Sequence, residues 1–327
     1  MLFRSDDYLA EQRNRWLHGQ KFPNAPRRER IGAARYTGHK NCAAKMKQAF
    51  GNHPAPETEQ AWHQVITSYR QQMKTLMVEE KISASTFNER IKTLRHWLGW
   101  MYDGYHIAAL PRKLDELCSR YKVENTARSL TLEMVRKLYD TASDRLKCWI
   151  ALGVNCGFYA VDIANLRREH LQGNYIVCDR HKTGVPTRFK LWKVTKELLK
   201  KAANGKELVF EAHDGGMIQR ADPDANGGKG KQQRLVDNQM TIVKRKLKLK
   251  GVSFSNFRDT SSTKIESVDR SLTDIFDGHK DGRMARFYVD RKGVDMNELF
   301  APLDRATDEL EKWYGLDLPA VGDAKAP

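Results

Sequence analysis

The chain has 327 residues, 40% of them hydrophobic, and carries 57 Lys and Arg against 41 Asp and Glu, a formal net charge of +16. That length allows two domains with cores of their own, and a cationic surplus recurring in every segment points to a polyanion, because each Lys or Arg that meets a phosphate releases condensed counterions. The chain has no long apolar run and no lipidation signal, and its five cysteines include no Cys-x-x-Cys pair or zinc-finger spacing, which argues against a membrane protein, a disulfide framework and a structural metal.

The N-terminus turns charged at once, Met-Leu-Phe-Arg-Ser-Asp-Asp, without the apolar core of a signal peptide, so a cytoplasmic protein is expected. Residues 1–55 are polar and basic, interrupted by Pro23, Pro26, Pro54 and the run Arg27-Arg28-Glu29-Arg30, and read as a basic arm or leader. From Thr58 the residues Trp62, Val65, Ile66, Tyr69, Met73, Leu76 and Met77 recur at the period of one helix face. A second helix is expected after Ser85, with Thr86 and Glu89 as a capping box and Phe87, Ile91, Leu94, Leu98 and Met101 as its stripe. The other faces carry Lys74, Arg90, Lys92 and Arg95, so residues 56–106 form a small helical module with cationic sides, suited to DNA contact or to ordinary solvation. Residues 107–127 show little periodicity and read as a linker.

A second domain opens at residue 128. Thr131 is placed to cap a helix bearing Leu132, Val135, Leu138 and Tyr139, and a further helix is expected from Asp144 to Asn155, ended by Gly157. Another starts at Asp162. Tyr175 to Cys178 and Arg188 to Leu191 are β-like runs around a glycine-bearing turn, a hairpin with Lys182 near its tip. Lys193 to Ala203 reads as a helix, and Asp214 to Lys231 as a mobile loop. A helix from Val236 to Lys250 gathers Lys244, Arg245 and Lys246 near its C-terminus, where cations suit the macrodipole as well as DNA. Residues 292–327 hold an imperfect amphipathic helix, Val294 to Leu316, and a tail. The whole is mainly α with a small antiparallel β-hairpin or sheet, an α+β chain.

Between Val252 and Asp290, Arg258 is followed by Gly278-His279, and nine residues beyond the histidine stands Tyr288 among basic neighbours. These types together suggest phosphate chemistry: arginine presents a planar fork of donors to a phosphate, and a tyrosine beside cations can act as a phenolate nucleophile. With Cys156-Gly157-Phe158-Tyr159-Ala160-Val161-Asp162, Lys182-Thr183-Gly184 and Ser255-Asn256-Phe257-Arg258 in order before Gly278-His279 and Tyr288, residues 58–291 resemble the tyrosine recombinase (phage integrase) family.

The resemblance implies a helical, SAM-like core-binding domain over 56–106 and a catalytic domain over 128–291. It implies that Tyr288 attacks a DNA phosphodiester to form a 3′-phosphotyrosyl link. Arg258 would hold the non-bridging oxygens, Lys182 would protonate the leaving 5′ oxygen, and His279 would hydrogen-bond the phosphate. It implies double-stranded DNA as partner, a homo-multimer from dimer to tetramer on that DNA, and no metal or cofactor, since cationic side chains neutralise the charge that Mg²⁺ neutralises elsewhere. Two positions depart from the family. Tyr159 stands where the family has its first catalytic arginine, and Ser255 where it usually has histidine or lysine. A phenol makes no bidentate ionic clamp, and Arg180, Arg283 or Arg286 could supply a cation in its stead. The departures leave open a degenerate relative that binds DNA without cutting it. An unrelated helical transcription factor would account for the charge but not for the motif order.

Overall fold

The computed structural model describes residues 5–21, 32–50, 56–104, 106–107, 110–123, 128–180, 184–222, 231–279 and 296–316. The chain divides into two units, residues 1–125 with 221–231, and residues 126–220 with 232–327.

In the first unit, residues expected to form a basic arm are instead two helices, α1 (Ser5–Lys21) and α2 (Ala33–Phe50). Their few apolar side chains suffice: Tyr8, Met46 and Phe50 join the core built by α3 (Glu59–Val78) and α4 (Ala84–Asp103), and Trp16 stacks on Tyr36 at 5.5 Å. The predicted stripes of α3 and α4 face that core, with Trp62, Ile66, Tyr69 and Met73 packed against Phe87, Ile91, Leu94 and Leu98. The cap of α4 is Ser83 rather than Thr86: its hydroxyl accepts the Thr86 amide at 3.2 Å and so satisfies an orphan donor of the first turn. Residues 107 and 110–123, read from sequence as part of a linker, also belong to this core. Ile107 and Cys118 are buried, α5 (Leu114–Leu117) forms a single turn, and Arg70 donates to the carbonyls of Glu116 and Leu117 at 2.9 and 2.8 Å. Side-chain-to-backbone bonds hold this segment, which is why it shows no apolar period.

In the second unit Thr131 caps α6 (Leu132–Thr141) and Ser143 caps α7 (Asp144–Asn155), the buried spine of the domain. Short α8 (Ala160–Ala164) follows. A three-stranded antiparallel sheet, β1 (Leu171–Gln172), β2 (Tyr175–Asp179) and β3 (Pro186–Lys190), contains the predicted hairpin, with Ile176 opposite Phe189 and Val177 opposite Arg188. Helix α9 (Lys193–Ala202) comes next; the paired strands β4 (Gln219–Asp222) and β5 (Lys231–Arg234) straddle the division between the units, and β4 falls where a loop is expected from sequence. Helix α10 (Leu235–Lys246) stops four residues short of the predicted end, with Lys248 in the left-handed region at φ 54°. Helices α11 (Ser255–Val268) and α12 (Thr273–Asp277) carry the Arg258 and Gly-His segments.

The last helix, α13 (Met296–Tyr314), packs on its own unit. Phe300, Leu303, Leu310 and Tyr314 are buried in the core, Trp192 Nε1 donates to the Thr307 carbonyl at 2.9 Å, and Asp304 and Asp308 pair with Arg188 and Lys190 of β3 at 2.5 and 2.7 Å.

Three aromatic rings bring the segments of interest to one place. Phe189 of β3 meets Phe158, beside Gly157, edge-on at 5.5 Å, and Phe276 of α12 edge-on at 6.0 Å. Such pairs contribute about 0.5–1.5 kcal/mol each beyond their buried area. Gly157 is required at their junction: its φ is +59°, and a Cβ there would lie 2.8 Å from the Phe276 ring.

Candidate active site and DNA-facing residues

Arg258 lies one turn into α11 and is 4% exposed. Its Nη1 donates to the Gly157 carbonyl at 2.8 Å, and its Nη2 donates to the Asp277 carbonyl at 2.5 Å while lying 3.0 Å from the Asp277 carboxylate. Ser262, one turn further along α11, donates its hydroxyl to the other Asp277 oxygen at 2.8 Å. The arginine is thus fixed from two sides, as a group must be if its donors are to be aimed before a charge arrives.

A second guanidinium shares that anchor. Arg180, directly after β2, is also 4% exposed, and its Nη2 donates to the same Gly157 carbonyl at 2.8 Å and pairs with Asp162 at 3.5 Å. Two nitrogens each 2.8 Å from one oxygen are separated by at most twice that distance, so two cations stand side by side, each with its own buried carboxylate. Asp162 also accepts the Tyr159 amide at 2.8 Å. The Tyr159 ring lies against both cations, 4.8 Å from Arg258 Cζ and 5.5 Å from Arg180 Cζ, within the range of cation–π attraction. Burial raises the Tyr159 phenol above the ordinary tyrosine range, opposed by Arg258.

His279 is exposed after Gly278, which caps α12 at φ 57°. Its amide donates to the Asp274 carbonyl at 2.9 Å, and its ring Nδ1 lies 3.4 Å from the Asp274 carboxylate. Ser255, at the first position of α11, shares a 2.8 Å hydrogen bond with Ser253 and touches neither guanidinium among the described contacts. Lys182, Arg283, Arg286 and Tyr288 lie outside the described residues. Arg167 pairs with Glu207 at 3.8 Å and Arg168 donates to the Gly205 carbonyl at 3.0 Å, which places both elsewhere.

The cations expected to face DNA are divided between the two units, and those of the first unit line different pockets. In the first unit Lys92 and Arg95 line a cavity of about 1220 Å³ together with Arg15, Arg120 and Lys122. Arg95 is paired there with Asp115 at 2.5 Å, and Lys92 with Glu89 at 3.5 Å. Arg90 instead lines a separate pocket with Lys45 and contacts the Met73 sulfur at 3.1 Å, while Lys74 is half-buried on α3. In the second unit Lys244 donates to the Val252 carbonyl at 2.8 Å, whereas Arg245 and Lys246 are exposed. Sequence reasoning missed Asp162, Asp277 and Ser262; the one available signal was the spacing of Asp162 three residues after Tyr159, that of a helix N-terminal capping pair.

Among the described residues no helix is long and apolar enough to cross a membrane, and no group of three or more His, Cys, Asp or Glu is arranged to hold a metal. No model of a known protein family matches the sequence, and no curated protein matches it. Solved structures do match. A lambda integrase tetramer bound to a Holliday junction aligns with TM-score 0.60 at 15% identity, over 91% of this chain and 80% of that one. A lambda integrase dimer bound to a COC′ core site aligns with TM-score 0.58 at 18% identity, over 90% and 98%. The Tn1549 transposon integrase in complex with a circular intermediate DNA aligns with TM-score 0.51 at 10% identity, over 90% and 98%. The fold is therefore the one these integrases share: mainly α, with a small antiparallel sheet.

Proposed function

We propose that the chain is an integrase-type tyrosine recombinase that binds double-stranded DNA, cuts it and rejoins it as a homo-multimer on paired sites. The observation that carries this reading is Arg258, a guanidinium buried and fixed by Gly157 and Asp277 within an integrase fold. In the reaction the Tyr288 phenolate forms a bond to phosphorus and the bond from phosphorus to the 5′ oxygen breaks. That oxygen leaves with the electron pair and takes a proton from Lys182, giving a 3′-phosphotyrosyl link and a free 5′ hydroxyl. Arg258 balances the charge developing on the non-bridging oxygens, and His279 donates a hydrogen bond to the same phosphate. Rejoining is the reverse step with a 5′ hydroxyl as nucleophile, so the link conserves the energy of the broken bond and no ATP is consumed. The similar lambda integrase was captured on DNA both as a dimer and as a tetramer, and the Tn1549 integrase on a circular intermediate DNA, which supports the choice of partner and of multimer.

Tyr159 favours one second reading, a degenerate relative that occupies DNA sites without cutting them. The two separate on duplexes that the protein selects from a random-sequence pool, prepared with single nicks at successive positions so that cleavage traps the protein. A detergent-resistant protein–DNA adduct that vanishes in Tyr288→Phe supports strand cleavage. Bound duplexes that yield no adduct with the wild type select the second reading.

A further inference from the structure

We infer that Arg180 supplies the guanidinium that the first-arginine position, occupied by Tyr159, does not, so that the phosphate clamp is the pair Arg180 and Arg258. The inference rests on the strand-cleavage reading and adds a residue from a different element to it.

Three observations carry it. Arg180 and Arg258 donate to the same Gly157 carbonyl, each at 2.8 Å, although one comes from the end of β2 and the other from α11. Bringing two like charges out of water to one point is unfavourable unless they are compensated, and here each is matched by its own buried carboxylate, Asp162 and Asp277. The donor set is also incomplete: Arg180 Nη1 is buried and has no hydrogen-bond partner among the described residues. An orphaned buried donor is unfavourable, and a phosphate oxygen seated between the two guanidinium groups would satisfy it.

The local sequence shows how the replacement is accommodated. Tyr159 still begins α8, and Asp162, which accepts its amide, reaches the Arg180 side chain instead of one at position 159. Gly278 leaves room for the arginine stem, because a Cβ there would lie 3.3 Å from both Cβ and Cδ of Arg180. The Tyr159 ring fills the remaining space and lies against both cations. Arg180 is thus assigned as a catalytic residue, and Asp162 as the residue that positions it.

The test transplants the cation. On the selected, nicked duplexes Arg180→Ala should lower the rate of adduct formation about a hundredfold or more, the usual effect of losing one such donor. Adding Tyr159→Arg to Arg180→Ala should recover at least about tenfold of that loss, whereas Tyr159→Arg alone should bring no gain because the place is already filled. A purely structural Arg180 predicts no recovery from an arginine at 159, so failure of the double variant to regain activity at wild-type melting temperature overturns the inference. So does a loss under threefold in Arg180→Ala, or a gain above tenfold in Tyr159→Arg alone. If the wild type forms no adduct at all, the cleavage reading fails separately and binding decides the clamp. The probes are then selected duplexes in which single phosphates are replaced in turn by neutral methylphosphonates. The wild type should bind one of them more weakly than the parent duplex, and Arg180→Ala should remove that difference. Equal binding throughout, or a difference that persists in the variant, overturns the inference.

Discussion

Asp277→Asn tests what holds Arg258 in place. The carboxylate lies 3.0 Å from Arg258 Nη2, both side chains are almost wholly buried, and the Ser262 hydroxyl donates to it at 2.8 Å. Removing one partner of a buried ion pair typically costs about 3–5 kcal/mol, because the remaining charge is left uncompensated. Arg258 would keep the carbonyls of Gly157 and Asp277, and an asparagine still accepts from Ser262, so the loss should fall at the lower end, about 3 kcal/mol. A factor of ten corresponds to about 1.4 kcal/mol, so amide exchange in α11 and α12, read by mass spectrometry on the full chain, should accelerate about a hundredfold. Arg258→Met should cost a similar amount, and the double variant clearly less than the sum, since no lone charge remains in it. Additivity within about 0.5 kcal/mol would show the two groups to be uncoupled and would refute this account of how the site is held.

Two further predictions concern the first unit. Ser83→Ala should destabilise α4 by about 1 kcal/mol and Thr86→Ala by less than half of that, measured by amide exchange along α4; the reverse order would return the cap to Thr86. His39, whose Nδ1 shares a 2.9 Å hydrogen bond with the Tyr8 hydroxyl, is held at a pKa of about 4, first by burial and then by His96 and nearby cations. Its folded value lies below its unfolded one, so its contribution is complete above about pH 6.5 and is lost as the pH falls through that value toward 4. Exchange in α1 and α2 should therefore quicken across that window, and His39→Gln should flatten the profile. An unchanged profile in the variant would assign the acid response to another group.

The parts of the fold legible in the sequence are those where burial follows a period or a cap uses a short polar side chain. Helix α7 spans Asp144–Asn155 as its apolar run dictates, Thr131 caps α6, and the hairpin strands fall within about two residues of their sequence bounds. The illegible parts are held by different forces. Helices α1 and α2 bury a few large rings among many polar positions, and residues 110–123 are secured through Arg70 and through the Asn88 side chain on the Tyr121 backbone, neither of which leaves a periodic trace. At the site the motif order singled out Arg258 and His279, because their residue types carry the chemistry. The acids Asp162 and Asp277 and the anchor at Gly157 O depend on contacts between segments up to 101 positions apart. Arg180 could be named from sequence only as one of three cations, and its place beside Arg258 depends on the Gly157 carbonyl that the two share.

The central claim, that Tyr288 is the nucleophile, is open to a direct measurement. Trypsin cutting after Arg286 and Arg291 releases Phe287 to Arg291, a peptide whose single tyrosine is Tyr288. After nuclease digestion of the trapped complex, mass spectrometry should find this peptide carrying a nucleotide linked through its 3′ phosphate. An adduct mapped to Tyr159 or to any other peptide, or an unmodified Phe287 to Arg291 peptide from the trapped complex, would contradict the account.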